Sequence, residues 1–116
     1  MRQILVLLSL LMQFPLWAQI SGEWQFQSIS KSGQSLFSIT DNDSLRIFDN
    51  DSFYYQLEAK DLKAWGNYQI TEDSKGAMLL FNYQAPADTI RIYQITTLND
   101  SVLDIVENEV HYRFVR

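Results

Sequence analysis

The 116-residue sequence contains no cysteine, which excludes disulfide bonds, cysteine-based metal sites and attachment of a lipid to a cysteine. The hydrophobic core must therefore supply the stability of the fold by itself. Histidine occurs once, at His111, and a catalytic histidine needs a nucleophile or carboxylate that the fold brings to it. We find no such catalytic constellation, and we expect no enzymatic activity, no cofactor and no metal site.

Basic residues are also scarce, with 9 Lys and Arg against 14 Asp and Glu, for a net charge of −5. A nucleic-acid partner is excluded because no basic patch is available to neutralise phosphates. The same balance disfavours binding to an anionic membrane surface. No Gly/Ser linker or low-complexity segment divides the chain, which indicates one domain.

The first 18 residues have the pattern of a secretory signal peptide. Arg2 supplies the positive charge, the stretch from Ile4 to Leu11 is apolar except for Ser9, and small Ala18 stands at a suitable cleavage site. The apolar run is too short for a membrane-spanning helix. We therefore expect export to the periplasm or the cell exterior as a soluble domain of residues 19–116 with no membrane span. A buried N-terminal helix of the domain is the alternative.

The rest of the chain reads as short alternating apolar runs separated by polar turns, at a spacing of about 8–12 residues that is typical of all-β proteins. An Asn-Asp-Ser tripeptide precedes three of these runs, starting at Asn42, Asn50 and Asn99. Asn and Asp tolerate left-handed backbone angles and bond their own main chain, so they close hairpins. One of the predicted strands is Leu36 to Thr40, and Gly66 is predicted to mark a bulge or a sharp bend.

Eight or nine such strands in a meander predict an up-and-down antiparallel β-barrel of about eight strands. Closure removes the exposed sheet edges that a sandwich would leave, which is why we favour the barrel over the sandwich. The best helical candidate, Glu58 to Ala64, is too short to change this fold class.

Three features together resemble a small bacterial secreted lipocalin-like domain over residues 20–116. They are Gly22-Glu23-Trp24 at the first strand, the succession of antiparallel strands, and the terminal Tyr112-Arg113-Phe114-Val115-Arg116. The resemblance implies that Trp24 packs at the closed end of the barrel beneath a basic residue of the last strand. Arg116 is the candidate for that residue, with Arg113 second. It also implies an open end that holds a small apolar ligand.

Alternation within the strands predicts which side chains face the barrel interior, where aromatic residues either line a pocket or fill it. Many of them are tyrosines, whose buried hydroxyls need partners. That favours a cavity holding a small molecule with an apolar body and a neutral polar end. The predicted ligand-binding residues are Phe26, Tyr55, Trp65, Tyr68, Leu80, Ile92 and Tyr112, and the predicted structural residues are Gly22, Trp24 and Arg116.

Other polar groups have simpler interpretations. Asp41, Asp43, Asp49 and Asp51 suggest hairpin turns, because Leu45 and Phe53 occupy the positions where further calcium ligands should follow. Glu107 and Glu109 flank a predicted turn, which favours solvated charges over a glycosidase pair. Arg91 and Tyr93 share a strand face, as in the carboxylate-binding pair of fatty-acid-binding proteins, but they face solvent if Ile90 and Ile92 face inward.

The sequence therefore predicts an exported, non-enzymatic barrel that binds a small apolar or amphipathic molecule and acts as a monomer. A protein–protein interaction or envelope-structural module with a solid core is the alternative.

Cleavage after Ala18 predicts that the mature exported protein begins at Gln19, either free or cyclised. N-terminal analysis of periplasmic or secreted protein measures this directly. A soluble cytoplasmic pool that retains Met1 would contradict the export prediction.

Overall fold

The computed structural model describes residues 19–74 and 76–116, and these residues form one antiparallel sheet. The sheet has nine strands, and one turn of 3₁₀ helix, Glu58–Lys60, lies between the fourth and the fifth. The strands are β1 Gly22–Lys31, β2 Gln34–Ser35, β3 Ser44–Ile47, β4 Ser52–Leu57, β5 Leu62–Asp73, β6 Gly76–Ala85, β7 Thr89–Leu98, β8 Val102–Glu107 and β9 Val110–Val115.

The sheet closes on itself because β1 pairs with β3 along one side and with β9 along the other. From β3 to β9 each strand pairs with the next strand in the chain, so eight strands form the barrel wall. The two-residue β2 pairs only with the end of β1, at Ser30 and Lys31. The prediction of an all-β, up-and-down barrel of about eight strands is confirmed.

Two of the Asn-Asp-Ser tripeptides form the predicted hairpin connections. Asp51 adopts a positive φ of 68° between β3 and β4. Between β7 and β8, the Asn99 side-chain oxygen accepts hydrogen bonds from the backbone N–H groups of Ser101 and Val102, both at 2.9 Å. In each case the short polar side chain or the tolerated left-handed angle lets the chain reverse.

Gly66 lies at a bulge, as predicted, where the register between β5 and β6 shifts after Trp65. The two strands approach so closely there that a Cβ on Gly66 would lie 2.1 Å from the Asn82 carbonyl oxygen. Only glycine therefore fits this position of β5.

Successive strands run in opposite directions, so the barrel has two ends with different loops. One end carries the start of β1 and the β3–β4 and β7–β8 connections, and we call it the Trp24 end. The other carries the long connection from Lys31 to Ser44, the 3₁₀ turn and the β8–β9 turn, and we call it the mouth.

The Trp24 end is closed by an arginine that lies over a buried tryptophan. Trp24 is fully buried, and its indole N–H donates to the Ile20 carbonyl at 2.7 Å. The Arg116 guanidinium carbon lies 3.9 Å from the Trp24 ring centroid, while its nitrogens donate to the carbonyls of Ser21 (2.7 Å) and Gln19 (2.6 Å). This is the geometry that the family resemblance implied.

Gly22 makes room for that arrangement. Its φ is 123°, which L side chains rarely adopt, and a Cβ there would lie 3.0 Å from an Arg116 guanidinium nitrogen. Gly22 and Trp24 of the first strand thus pack together with Arg116 as one group.

Two local predictions are wrong. Leu36 to Thr40 is not a strand, because the chain leaves the sheet after β2 and crosses the mouth, where Leu36 and Phe37 meet a cavity. The helical candidate from Glu58 to Ala64 forms only the 3₁₀ turn, since Asp61 takes a left-handed conformation (φ 47°) and the chain enters β5 at Leu62.

The predicted signal peptide, residues 1–18, lies outside the described residues. Among residues 19–74 and 76–116, no helix is long and apolar enough to cross a membrane.

The contact between Trp24 and Arg116 predicts non-additive losses of stability. Trp24→Ala should lower the free energy of unfolding by ~3–5 kcal/mol because a large buried side chain is removed. Arg116→Ala should cost ~0.5–2 kcal/mol less in the Trp24→Ala background than in the wild type, since its ring partner is already gone. Urea unfolding of the four proteins measures this coupling.

Arg46→Ala is the matched control, because Arg46 forms an exposed ion pair with Glu23 on the outer surface. Its small loss should add to that of Trp24→Ala. Additive losses for Arg116→Ala as well would contradict the coupling.

Candidate functional site

A cavity of about 300 Å³ occupies the mouth half of the barrel. Its wall is mostly apolar and aromatic, with two cationic side chains, Lys60 and Arg91. Each of the eight barrel strands contributes at least one apolar or tyrosine residue to the wall, and the loop before β3 contributes two more. These residues are Phe26, Ile29, Leu36, Phe37, Leu45, Tyr55, Leu57, Leu62, Phe81, Tyr93, Ile105, Val110, Tyr112 and Phe114.

The segment from Leu36 to Asp43 forms one side of the mouth. Leu36 is 46% exposed, and Phe37 is half-buried against the core. The Lys60 ammonium of the 3₁₀ turn lies 5.1 Å from the Phe37 ring centroid, within cation–π range. A molecule entering the cavity therefore passes an aromatic ring and a positive charge.

Asp43 anchors this segment to the barrel. It is fully buried, and its two carboxylate oxygens accept the backbone N–H groups of Thr40 and Glu58, both at 2.8 Å. Its carbonyl also accepts the backbone N–H of Phe26 at 3.0 Å. One side chain thereby ties the mouth segment to the 3₁₀ turn, and its charge is stabilised by hydrogen bonds.

A second set of contacts reinforces the anchor from the outside. The Glu58 carboxylate accepts from the Thr40 hydroxyl (3.1 Å) and the Asn42 amide (2.6 Å), and the Gln25 amide donates to the Thr40 and Asp41 carbonyls at 3.2 and 3.0 Å. Residues 40–43 are therefore held by several side-chain hydrogen bonds, whereas the side chains of Leu36 and Phe37 line the cavity.

The Arg91 guanidinium reaches the cavity from β7 and forms an ion pair with Glu107 of β8. Its Nε donates to both carboxylate oxygens at 3.1 Å, and a terminal nitrogen bonds to the same carboxylate. The hydrogen bonds with Glu107 raise the pKa of Arg91. Arginine stays charged, but its charge is largely matched within the protein.

Three tyrosines form a hydrogen-bonded chain beside this ion pair. The Tyr83 hydroxyl lies 2.9 Å from that of Tyr55 and 3.0 Å from that of Tyr93. Burial raises the pKa of all three hydroxyls, so they are neutral throughout the physiological range. The chain joins β4, β6 and β7 across the interior.

Four of the seven predicted ligand-binding residues face inward, and three of those line the cavity: Phe26, Tyr55 and Tyr112. Tyr68 is buried, but its hydroxyl donates to the Phe48 carbonyl at 3.2 Å, toward the Trp24 end. It belongs to the filled part of the barrel rather than to the cavity wall.

The other three predicted ligand-binding residues point outward. Trp65 is 45% exposed and stacks on the outer face with Tyr54, since Ala64, Gly66 and Tyr68 take the inward positions of β5. Leu80 lies in the continuous apolar run of β6, where its neighbours Leu79 and Phe81 are the buried residues.

Ile92 is 52% exposed and Ile90 61%, because β7 has the opposite phase from the one predicted. Tyr93 is buried and bonds to Tyr83, while Arg91 reaches Glu107. The expectation that Arg91 and Tyr93 face solvent is therefore wrong, and so is the expectation that Glu107 is a solvated loop charge.

The predicted ligand-binding set omitted Phe81, Tyr83 and Tyr93, as well as Arg91 and the two mouth residues Leu36 and Phe37. A signal for the first three exists in the sequence. Leu79, Phe81 and Tyr83 form an alternating set on β6, and Tyr93 and Ile95 form one on β7. Both strands also carry apolar residues at the positions between, so alternation supports either face as the buried one. No such pattern marks the mouth residues, which lie outside the sheet.

The remaining polar candidates do not form a site. Within the described part of the chain, no group of three His, Asp or Glu side chains is placed to hold a metal ion. His111 is exposed on β9. On the outer surface, Arg113 pairs with Asp104 at 2.8 Å, and its hydrogen bond lowers the pKa of that carboxyl.

Two solved structures share this fold. A lipocalin-like protein from Bacteroides uniformis ATCC 8492 matches with a TM-score of 0.65 and 16% identity, covering 84% of this chain and 98% of the other. An uncharacterized protein from Bacteroides eggerthii DSM 20697 matches with a TM-score of 0.62 and 15% identity, covering 83% and 98%. No family model and no curated protein matches the chain. The structural matches establish a lipocalin-like barrel fold.

The Asp43 anchor predicts a specific loosening of the mouth. Asp43→Ala should lower the free energy of unfolding by ~1–3 kcal/mol, because the N–H groups of Thr40 and Glu58 lose their acceptor. Amide hydrogen exchange should accelerate at Thr40 and Glu58 and leave Trp24 protected. Asp41→Ala is the control, since Asp41 is exposed beside Asp43. Equal effects of the two substitutions would contradict the anchoring role.

Proposed function

We propose that this barrel binds a small apolar or amphipathic molecule in the cavity at its mouth and does not transform it. The observation that carries the proposal is the cavity itself. A volume of about 300 Å³ lies at the lower end of the range for small-molecule pockets, and an apolar wall with a few polar groups is their usual composition.

The composition of the cavity wall supports binding over catalysis. Its ionisable side chains are Lys60, Arg91 and the tyrosines. Arg91 is engaged by Glu107, and burial raises the pKa of Tyr55, Tyr93 and Tyr112, which leaves them poor proton acceptors at neutral pH. Within the described lining residues, no serine, threonine or histidine is present to serve as a nucleophile or base.

The shape of the mouth supports an occupant that enters from one end. The barrel wall is hydrogen-bonded all the way around, and Trp24 and Arg116 close the other end. Leu36 and Phe37 are the cavity-lining residues of a segment outside the sheet, so their side chains can move aside without breaking a strand pairing. A ligand small enough for the cavity would be covered by them.

Export as a soluble periplasmic or extracellular protein remains part of this proposal. The sequence pattern of residues 1–18 supports it. The Gln19 carbonyl accepts a hydrogen bond from Arg116 at 2.6 Å, and Ile20 is fully buried. A chain that begins at Gln19 would keep both of these contacts.

A protein–protein interaction module is the second candidate, because apolar side chains are exposed on the outer wall. Ile90, Ile92 and Trp65 are 61%, 52% and 45% exposed. This candidate needs the outer surface and not the cavity, so variants of the two regions separate it from small-molecule binding.

Binding in the cavity predicts that a dye fluorescent in apolar surroundings binds at about one per chain. Val110→Trp adds bulk at the cavity wall and should weaken dye binding by at least ~10-fold, equivalent to ~1.4 kcal/mol. Ile92→Trp makes the same addition on the outer wall and should leave the affinity unchanged. Fluorescence titration measures both, with thermal unfolding as the check on folding.

Loss of dye binding in Ile92→Trp but not in Val110→Trp would favour the interaction module. Absence of dye binding in the folded wild type would contradict the proposed function.

A further inference from the structure

The chain of three tyrosine hydroxyls has an unused proton. Tyr55, Tyr83 and Tyr93 carry one O–H donor each, and two hydrogen bonds join them. Two bonds use two of the three protons, so one hydroxyl of the chain has no acceptor within it. Among the described residues, these hydroxyls have no hydrogen-bond partner besides one another.

The position of the unused proton follows from the geometry. If both outer tyrosines donated to Tyr83, the spare O–H would be that of Tyr83, which is 3% exposed and is not part of the cavity wall. A buried donor without an acceptor costs ~1–3 kcal/mol. If Tyr83 donates to one neighbour and accepts from the other, the spare O–H falls on Tyr55 or Tyr93, and both line the cavity.

The second arrangement is therefore the stable one, and it places a neutral hydrogen-bond donor in the cavity wall. Rotation of the Tyr83 hydroxyl exchanges the two end groups, so either Tyr55 or Tyr93 can present the proton while the other presents lone pairs. The wall can thus adjust to the position of a ligand oxygen without moving a ring.

Charged groups near the tyrosines do not favour an anion over a neutral oxygen. The positive charge of Arg91 lies 5.6 Å from the Tyr93 ring centroid, but Glu107 binds it with its carboxylate. A ligand carboxylate placed there would lose its hydration and meet the Glu107 charge as well. The cation at the mouth, Lys60, lies on the 3₁₀ turn beside Phe37, in the exposed part of the site.

We propose that the tyrosine chain selects ligands that carry an uncharged oxygen acceptor, such as a ketone, aldehyde or ester carbonyl, on an apolar body. This inference rests on the proposed function, because it specifies what the same cavity binds. The oxygen would accept the spare O–H of Tyr55 or Tyr93, and the apolar body would contact Phe26 and Phe81.

Three probes of the same shape test this selectivity: acetophenone, isopropylbenzene and benzoate. They have the same number of non-hydrogen atoms and differ in carrying a carbonyl, a methyl group or a charge. Titrations followed by two-dimensional amide NMR give each dissociation constant. Acetophenone should bind the wild type at least as tightly as isopropylbenzene, despite the cost of removing its carbonyl from water, and more tightly than benzoate.

The triple variant Tyr55→Phe/Tyr83→Phe/Tyr93→Phe removes all three hydroxyls and leaves no buried donor behind. Acetophenone should then bind ~3–10-fold more weakly, the effect of one hydrogen bond, while isopropylbenzene binding stays the same. Tyr54→Phe is the control, since Tyr54 lies on the outer face beside Trp65. If the triple variant does not fold, Tyr55→Phe and Tyr93→Phe should each retain the ketone preference and the double variant Tyr55→Phe/Tyr93→Phe should lose it, because only the double variant removes both hydroxyls of the cavity wall. Retention of the preference in the double variant would overturn the proposal.

The outcomes separate the two proposals. If isopropylbenzene binds but acetophenone binds more weakly than it, the tyrosine selectivity is wrong and the apolar binding function stands. Tighter binding of benzoate, lost in Lys60→Met, would overturn the selectivity in favour of an anion site at the mouth. If none of the three probes binds, the proposed function fails.

Discussion

The contact of Arg116 with Trp24 closes one end of the barrel, and the different contents of its two halves depend on that closure. One guanidinium covers the indole at 3.9 Å and at the same time bonds to the carbonyls of Gln19 and Ser21. The last residue of the chain is thereby joined to the segment that precedes the first strand. Because β1 and β9 are also hydrogen-bonded to each other, the first and last strands are tied by both the sheet and a side chain.

Closing one end in this way leaves the two halves of the barrel with different contents. Around Trp24 the interior is filled by side chains such as Ile47, Leu79 and Leu103, which are fully buried. At the mouth the same barrel diameter is lined by rings and a tyrosine chain around an open volume of about 300 Å³. An eight-stranded barrel is just wide enough either to be filled by its own side chains or to hold one small ligand. The filled half supplies stability, so the other half can remain available for a ligand.

The fold was largely predictable because its signals are local. Gly22, Trp24 and two of the three Asn-Asp-Ser tripeptides have the roles that their local sequence predicted, and the regular spacing of the strands predicted the barrel. The site was less predictable because it depends on strand phase. In β6 and β7 both faces carry apolar residues, so alternation around Leu80 and Ile92 did not reveal which face is buried.

Phase in those strands is decided by contacts between residues far apart in the sequence. Tyr93 faces inward with Tyr83 as its partner, and Arg91 with Glu107. Neither pair is visible before the register of the strands is known. The segment at the mouth could not be predicted for the same reason. The composition of Leu36 and Phe37 is that of a strand, and only the hydrogen bonds of the buried Asp43 show why the chain leaves the sheet there.

Xenon binding tests most directly whether one half of the barrel is filled and the other hollow, because xenon binds in cavities lined by apolar side chains. Crystals of the mature protein equilibrated under xenon pressure should show the gas in the mouth half, among Phe26, Tyr55 and Phe81, and none around Trp24. A mouth half without xenon and with its rings in mutual contact would contradict the cavity, and so would xenon bound beside Trp24.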